Sequence, residues 1–141
     1  MKALFDTNVI VDILGCRAPF FHNSNAVFLM AAAHKIEGII AASSITDIYY
    51  LVRKNYQDSG KALTSILSTL DVLTPVDTTA DNIHTAAKMG FADFEDAVIA
   101  AIADREDADY IITRNGKDFL ESLVPALSPT EFLEEFGDTL H

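Results

Sequence analysis

Aspartates occur at four places in this sequence where a predicted strand has just ended or a predicted helix begins. Asp6 follows the apolar segment KALF, and Asp47 lies shortly after EGIIAAS. Asp93 and Asp96 precede the apolar run AVIAAIA, and Asp118 comes shortly after DYIIT. In a parallel sheet the carboxyl ends of the strands share one edge, and ligands bind there. We therefore expect these carboxylates to meet at one edge of a sheet.

Carboxylates gathered in this way are suited to a divalent metal ion. Asp93 and Asp96 are three residues apart, so they lie on one face of a helix. Like charges this close raise one another's pKa unless a cation compensates them. Carboxylate oxygens are ligands for Mg²⁺ or Mn²⁺, and such sites hydrolyse phosphodiesters. Taken singly, each acid also has a simpler interpretation as a helix cap, a first-turn charge or a solvated surface charge.

Other catalytic patterns find little support in the sequence. The four histidines (His22, His34, His84 and His141) are scattered, without the spacing of a zinc site. The sequence contains neither a Gly-rich phosphate loop nor a G-x-S-x-G motif. A phosphatase of the haloacid dehalogenase class needs a second Asp two residues after Asp6, and that position is Asn8.

The elements that must position the acids alternate along the chain, which predicts an α/β fold with a mostly parallel sheet. Strands are predicted at 2–5, 37–43, 72–77, 109–113 and near 124–127. Helices are predicted at 7–14, 24–35, 44–56, 59–70, 79–90, 93–106, near 117–123 and at 128–136. The expected helix caps are Ser24, Ser43 or Ser44, Asp93 and Ser128, with Asp47 in a first turn and Gly90 just after a C-terminus.

Composition limits the class of protein. The 141 residues, half of them hydrophobic, fit one domain spanning 1–141 with no membrane segment. The single Cys16 cannot form an internal disulfide, which favours a cytoplasmic location. The net charge of −11 excludes nucleic-acid binding through a generally basic surface. A local basic strip or bound cations would have to hold a phosphate backbone, and solubility alone is the simpler explanation of the charge.

Four segments together resemble the PIN domain family, in particular its VapC-like toxin ribonucleases. They are LFDTNVIVDIL, SSITDIYYLVRK, DFEDAVIAAIA and DYIITRNGKDF, in this order. The resemblance implies a three-layer α/β/α sandwich and a cytoplasmic endoribonuclease that depends on Mg²⁺ or Mn²⁺. It also implies a homodimer and a small antitoxin that makes the chain the toxin of a toxin–antitoxin pair. A catalytically inactive PIN-like module that binds RNA or a protein is the alternative.

The resemblance also assigns roles to particular residues. It places the metal-binding and catalytic acids at Asp6, Asp47, Asp96 and, in the fourth position, Asp118. Many relatives have an Asp where this chain has Asn115, so the fourth position and the number of metals, one or two, stay open. The side chains expected to orient the ligands are Thr7, Asn8, Asp93, Thr113 and Asn115. The first candidates to bind a substrate phosphate are Arg114 and Lys117, for which an ordinary surface role is equally open.

Overall fold

A computed structural model of the chain describes residues 1–138 as alternating strands and helices. The strands are β1 (Lys2–Phe5), β2 (Glu37–Ala41), β3 (Thr74–Val76), β4 (Tyr110–Ile112) and β5 (Ala126–Leu127). The helices are α1 (Thr7–Leu14), α2 (Phe21–Ala32), α3 (Ala42–Tyr56), α4 (Ser59–Val72), α5 (Ala80–Ala87), α6 (Phe94–Arg105) and α7 (Pro129–Phe136). A short 3-10 helix spans Gly116–Phe119.

The five strands form a parallel sheet in the order β3-β2-β1-β4-β5. The chain therefore builds outward from β1 on one side and then returns to build outward from β4 on the other. Ligands bind at such a reversal point, outside the carboxyl ends of the two strands. The register pairs Phe5 with Ile112, so the residues after them, Asp6 and Thr113, leave the sheet side by side.

Helices cover both faces of the sheet. Successive side chains of a strand point to opposite faces, so neighbouring strand residues belong to different cores. Phe5 and Ile112 belong to the core shared with α1, α2, α3, α4 and α7. Leu4 and Ile111 belong to the second core, which is built largely from α6. The three-layer α/β/α arrangement expected from the sequence is confirmed.

Most predicted elements are confirmed, with boundaries that shift by a few residues. β1 and α1 have the predicted bounds, and Pro75 lies on an edge strand as expected. Asp93 caps α6 by accepting a hydrogen bond from the Asp96 N–H, and Ser128 caps α7. Within residues 1–138, no helix is long and apolar enough to cross a membrane. His141 lies outside the described residues.

The predicted starts of α2 and α3 are wrong. α2 begins at Phe21, three residues before the predicted cap, and Ser24 is buried inside it. α3 begins at Ala42, directly after β2, so neither Ser43 nor Ser44 caps it and Asp47 lies in its second turn.

The prediction for the end of α5 is also wrong. The helix ends at Ala87 with Lys88 as its cap, so Gly90 lies two residues beyond that cap. Gly90 does have a φ of +74°, the left-handed conformation for which glycine is favoured.

We predict that Gly38→Ala destabilises the fold by about 1–3 kcal/mol, because it overpacks the contact between β2 and the helices. A Cβ at Gly38 would lie 2.5 Å from Leu73 Cδ2 and 3.0 Å from Ala31 Cβ. Gly116→Ala is the matched control, since its Cβ would meet only an ordinary contact at 3.8 Å. Urea unfolding of both variants measures the difference. Equal stabilities of the two would contradict the tight packing of β2.

Candidate active site

Asp6 is a buried carboxylate held in place from several directions. It leaves the end of β1, caps α1 and is only 6% exposed. Oδ1 accepts a hydrogen bond from the Thr7 N–H at 2.8 Å, and Oδ2 accepts one from Thr113 Oγ1 at 2.8 Å. Burial raises the pKa of Asp6, and the hydrogen bonds from Thr113 and Thr7 oppose that rise. The carboxylate is therefore fixed in orientation while its charge stays poorly solvated.

Asn8 and Thr113 connect the start of α1 to the segment after β4. Asn8 Nδ2 lies 3.4 Å from both Asp6 Oδ2 and Thr113 Oγ1. Asn8 Oδ1 accepts a hydrogen bond from the Arg114 N–H at 3.3 Å, and Thr113 Oγ1 accepts one from the Asn115 N–H at 3.1 Å. This network sets the positions of Asp6 and of the 114–118 segment relative to each other.

α6 delivers Asp96 from a position that has almost no freedom to move. All seven residues from 97 to 103 are buried, so the helix is packed on every side. Asp96 lies in its first turn, where the helix dipole favours a negative charge. Burial and, after it, the charges of Asp93, Asp6, Asp118 and Glu95 together raise the pKa of Asp96 to about 7. Asp96 therefore lies close to several other carboxylates.

These residues line one cleft of about 920 Å³ at the carboxyl edge of the sheet. Ten of the eleven residues predicted for the site line it: Asp6, Thr7, Asn8, Asp47, Asp93, Asp96, Arg114, Asn115, Lys117 and Asp118. Thr113 is fully buried and lies behind Asp6, to which it donates its hydrogen bond. The structure thus brings the predicted residues together, and their individual roles remain predictions.

Asp47 lies apart from the other acids within the cleft. It is exposed, and its charge contributes to raising the pKa of Glu95, second to burial. The pKa of Asp96 responds instead to Asp93, Asp6, Asp118 and Glu95. Asp47 therefore faces Glu95, on the α3 side of the cleft.

Asp118 and Asn115 differ in their position relative to Asp96. Asn115 precedes the 3-10 helix, where its carbonyl accepts the Asp118 N–H at 2.9 Å. The charge of Asp118 contributes to the raised pKa of Asp96. Of the two candidates for the fourth acidic position, Asp118 is thus the one that places a carboxylate near Asp96.

The carboxylate oxygens of the cleft suit a hard divalent cation, but they do not form a complete coordination shell in the structure as it stands. The cleft offers carboxylate oxygens, which Mg²⁺ and Mn²⁺ prefer. Among residues 1–138, no three His, Cys, Asp or Glu side chains stand close enough together to hold a metal ion as they are.

Sequence reasoning missed two residues, Glu95 in the cleft and Asp12 behind it. Glu95 lines the cleft, although its place in the first turn of a predicted helix indicated only a charge that complements the helix dipole. Asp12 is fully buried on α1 and forms an ion pair with Arg114, whose guanidinium lies over the Phe20 ring. An Asp between Val11 and Ile13 in a predicted buried helix was an available signal, because a buried charge needs a partner.

The fold is shared with several solved structures. VapBC2 from Rickettsia felis, bound to a DNA fragment from their promoter, matches with a TM-score of 0.70 at 18% identity over 91% of this chain and 98% of that one. A toxin–antitoxin complex from Klebsiella pneumoniae gives 0.66 at 22% identity, over 90% and 97% of the two chains. VapC20 of Mycobacterium tuberculosis, a sarcin-ricin loop cleaving toxin, gives 0.65 at 13% identity, over 82% and 92%. At these identities the likeness establishes the fold.

The sequence comparison is more specific about ancestry. No curated protein matches this chain. The family model described as PIN domain matches residues 2–117, which includes every candidate site residue except Asp118. On this match, together with the shared fold, the chain belongs to the PIN domain family.

Proposed function

We propose that this protein is a metal-dependent endoribonuclease that hydrolyses RNA phosphodiester bonds. The observation that carries the proposal is the convergence of Asp6, Asp93, Asp118 and Glu95 with Asp96 in one cleft. Burial and, after it, the charges of these acids raise the pKa of Asp96 to about 7. In a PIN domain, such an uncompensated cluster is most simply explained as a binding site for Mg²⁺ or Mn²⁺. Asp6, Asp47, Asp96 and Asp118 are the proposed ligands and catalytic acids.

The chain's own residues supply orientation and charge. A bound divalent ion would activate water for attack and neutralise charge on the phosphoryl group. Thr7 and Thr113 hold the Asp6 carboxylate toward the cleft through their hydrogen bonds. Asp93 holds the first turn of α6, and with it Asp96, by accepting the Asp96 N–H at 3.0 Å. Lys117, which lines the cleft, is proposed to bind a substrate phosphate.

We further propose that the protein is a cytoplasmic toxin with a small antitoxin partner. The proposal is supported by the solved neighbours that are themselves toxin–antitoxin assemblies. It is also supported by apolar side chains left exposed on two helices: Tyr50 and Leu51 on α3, and Leu63 and Leu67 on α4. Exposed apolar side chains in such numbers suit a protein partner. A homodimer would use part of the same surface.

An inactive PIN-like binding module is the second candidate function. Asn115 occupies a position where many relatives have a carboxylate, and residues 1–138 contain no preformed metal group. A weakly binding site would leave a protein that holds RNA or a partner without cutting it.

Asp96→Asn decides between the two functions. We expect it to abolish binding of Mn²⁺ and Mg²⁺ in calorimetric titrations and to lower cleavage of a pooled RNA by at least about 100-fold. Loss of a residue that only orients a metal ligand costs about 10- to 100-fold, and loss of the ligand itself should cost more. Asp104→Asn is the matched control, because Asp104 is an exposed residue at the other end of α6, outside the cleft. Wild-type protein that binds no metal at millimolar concentration, or cleavage that survives in Asp96→Asn, would overturn the nuclease.

The fourth acidic position is tested by two further substitutions. We expect Asp118→Asn to weaken Mn²⁺ binding by about tenfold, because it removes a carboxylate beside Asp96. Asn115→Ala keeps the backbone hydrogen bond to Thr113 and should change Mn²⁺ affinity by less than about threefold. Calorimetry on both variants makes the comparison. The reverse ranking would assign the fourth position to Asn115.

The raised pKa of Asp96 predicts how stability depends on pH. The folded protein keeps a proton on Asp96 up to about pH 7, whereas the unfolded chain releases it near 3.8. The stabilisation from this proton is therefore complete below the unfolded value and is lost as pH rises through about 7. In EDTA, we expect Asp96→Asn to be more stable than wild type at about pH 8 and to lose that advantage by about pH 4.

Urea unfolding of the two proteins at both pH values measures this difference. A constant difference between wild type and Asp96→Asn across the range would show that folding does not raise the pKa of Asp96.

A further inference from the structure

Asp12 is a buried charge that the proposed metal site does not use. It is 0% exposed and lies within the apolar segment VIVDIL of α1. Within residues 1–138, no backbone N–H, hydroxyl or side-chain amide donates a hydrogen bond to its carboxylate oxygens. Its partners are ionic: Arg114 Nε lies 2.7 Å from Oδ2, and Arg17 Nη1 lies 4.0 Å from Oδ1. Burial raises the pKa of Asp12, and the charges of Arg114 and Arg17 counteract that rise.

Arg114 is held from two sides. Asp12 contacts its buried Nε, and the Phe20 ring lies 4.4 Å from its guanidinium carbon. In the described part of the chain, its two terminal nitrogens make no hydrogen bond or ion pair, and the side chain is 30% exposed. Arg114 lines the cleft, and its charge lowers the pKa of Asp6. Its terminal nitrogens are thus available to a ligand in or beside the cleft.

Stability alone explains this arrangement poorly. A buried ion pair contributes little, because the desolvation of both charges offsets their attraction. Here Arg114 contacts Asp12 through Nε alone, so Asp12 obtains less from Arg114 than it would from a bidentate pair. Without Asp12, Arg114 could pair with other acids that line the same cleft, such as Asp6 and Asp118. The buried carboxylate keeps the guanidinium at one place on the rim of the cleft.

We propose that Asp12 and Phe20 anchor Arg114 so that its terminal nitrogens bind a phosphate of single-stranded RNA beside the cleft. The inference rests on the proposed nuclease function and adds a positioning residue, Asp12, that is not a metal ligand. A planar guanidinium fixed at Nε and stacked on a ring presents its two remaining nitrogens as a rigid fork, the geometry that suits phosphate oxygens. Because it is already oriented, Arg114 loses little side-chain entropy when it binds.

Whether Asp12→Asn strengthens or weakens RNA binding distinguishes the anchoring of Arg114 from an effect of the protein's overall charge. Removing a negative charge from a chain of net charge −11 should strengthen RNA binding slightly if only the overall field matters. The anchor predicts the opposite: Asp12→Asn weakens binding by about three- to tenfold because Arg114 is released. Arg114→Ala should weaken it by about tenfold and reduce the slope of log K against log salt by about 0.7.

The measurement is fluorescence anisotropy with a labelled pool of short single-stranded RNA, in EDTA so that the RNA stays intact. The charge-matched controls are Asp71→Asn and Lys61→Ala, both exposed on α4 and outside the cleft. A double variant, Asp12→Asn with Arg114→Ala, should bind no more weakly than Arg114→Ala alone, since Asp12 acts through Arg114. Arg114→Lys should restore the charge but not the fork, so it should recover only part of the affinity.

Two further measurements test whether weaker RNA binding by Asp12→Asn results only from a loss of folding. Thermal melts identify any loss of folding in Asp12→Asn, and binding is compared below the lowest melting transition. In cleavage assays, Asp12→Asn should raise KM while leaving kcat within about twofold of wild type, because the phosphate contact is lost equally from the ground state and the transition state.

The outcomes distinguish this proposal from the nuclease itself. RNA binding that is unaffected by Arg114→Ala, or that strengthens in Asp12→Asn as it does in Asp71→Asn, overturns the anchor and leaves the nuclease intact. Additive losses in the double variant also overturn it. RNA binding with the predicted pattern but no cleavage by wild type under any divalent ion overturns the nuclease and supports the anchor.

Discussion

The hydrogen bond from Thr113 Oγ1 to Asp6 Oδ2 connects the two halves of the sheet at the candidate active site. It links the ends of β1 and β4, 107 residues apart in sequence, at the point where the strand order reverses. The parallel register makes it possible, because Phe5 and Ile112 are partners and the following residues leave the sheet together. Asn8 Nδ2 lies within reach of both of these groups, and the Asn115 N–H donates a hydrogen bond to Thr113 Oγ1. The remainder of the site is arranged around this fixed carboxylate.

Crowded carboxylates are tolerated because the elements that carry them cannot move apart. α6 is buried along seven consecutive residues and packs into the core that contains Leu4 and Ile111. Its first turn therefore stays near Asp6, although burial and, after it, repulsion from the neighbouring acids raise the pKa of Asp96 to about 7. The hydrophobic energy of packing α6, of the order of 1.5–3 kcal/mol for each large side chain buried, offsets that repulsion. A site of this kind stores unfavourable charge that a cation can relieve.

The sequence predicted the fold and the membership of the cleft better than the local details. Buried strands and the all-apolar helix α6 leave strong hydrophobic patterns, and acids at strand ends follow from the topology of a parallel sheet. The start of α3 was missed because β2 turns directly into helix at Ala42, without the polar cap that the pattern requires. Asp12 was missed because its partner Arg114 is 102 positions away, and only the folded chain brings the two together.

The charge of the cleft limits how the proposed RNA substrate could be held. Its lining includes seven carboxylates but only three basic side chains, Arg17, Arg114 and Lys117. Arg17 and Arg114 form ion pairs with Asp12, so their positive charge is partly neutralised within the protein. A polyanion entering the cleft therefore gains little from the protein's general field, and few counterions are released on contact. Cations in the cleft and the oriented donors of a few side chains must supply the attraction, which favours an RNA that fits them over RNA in general.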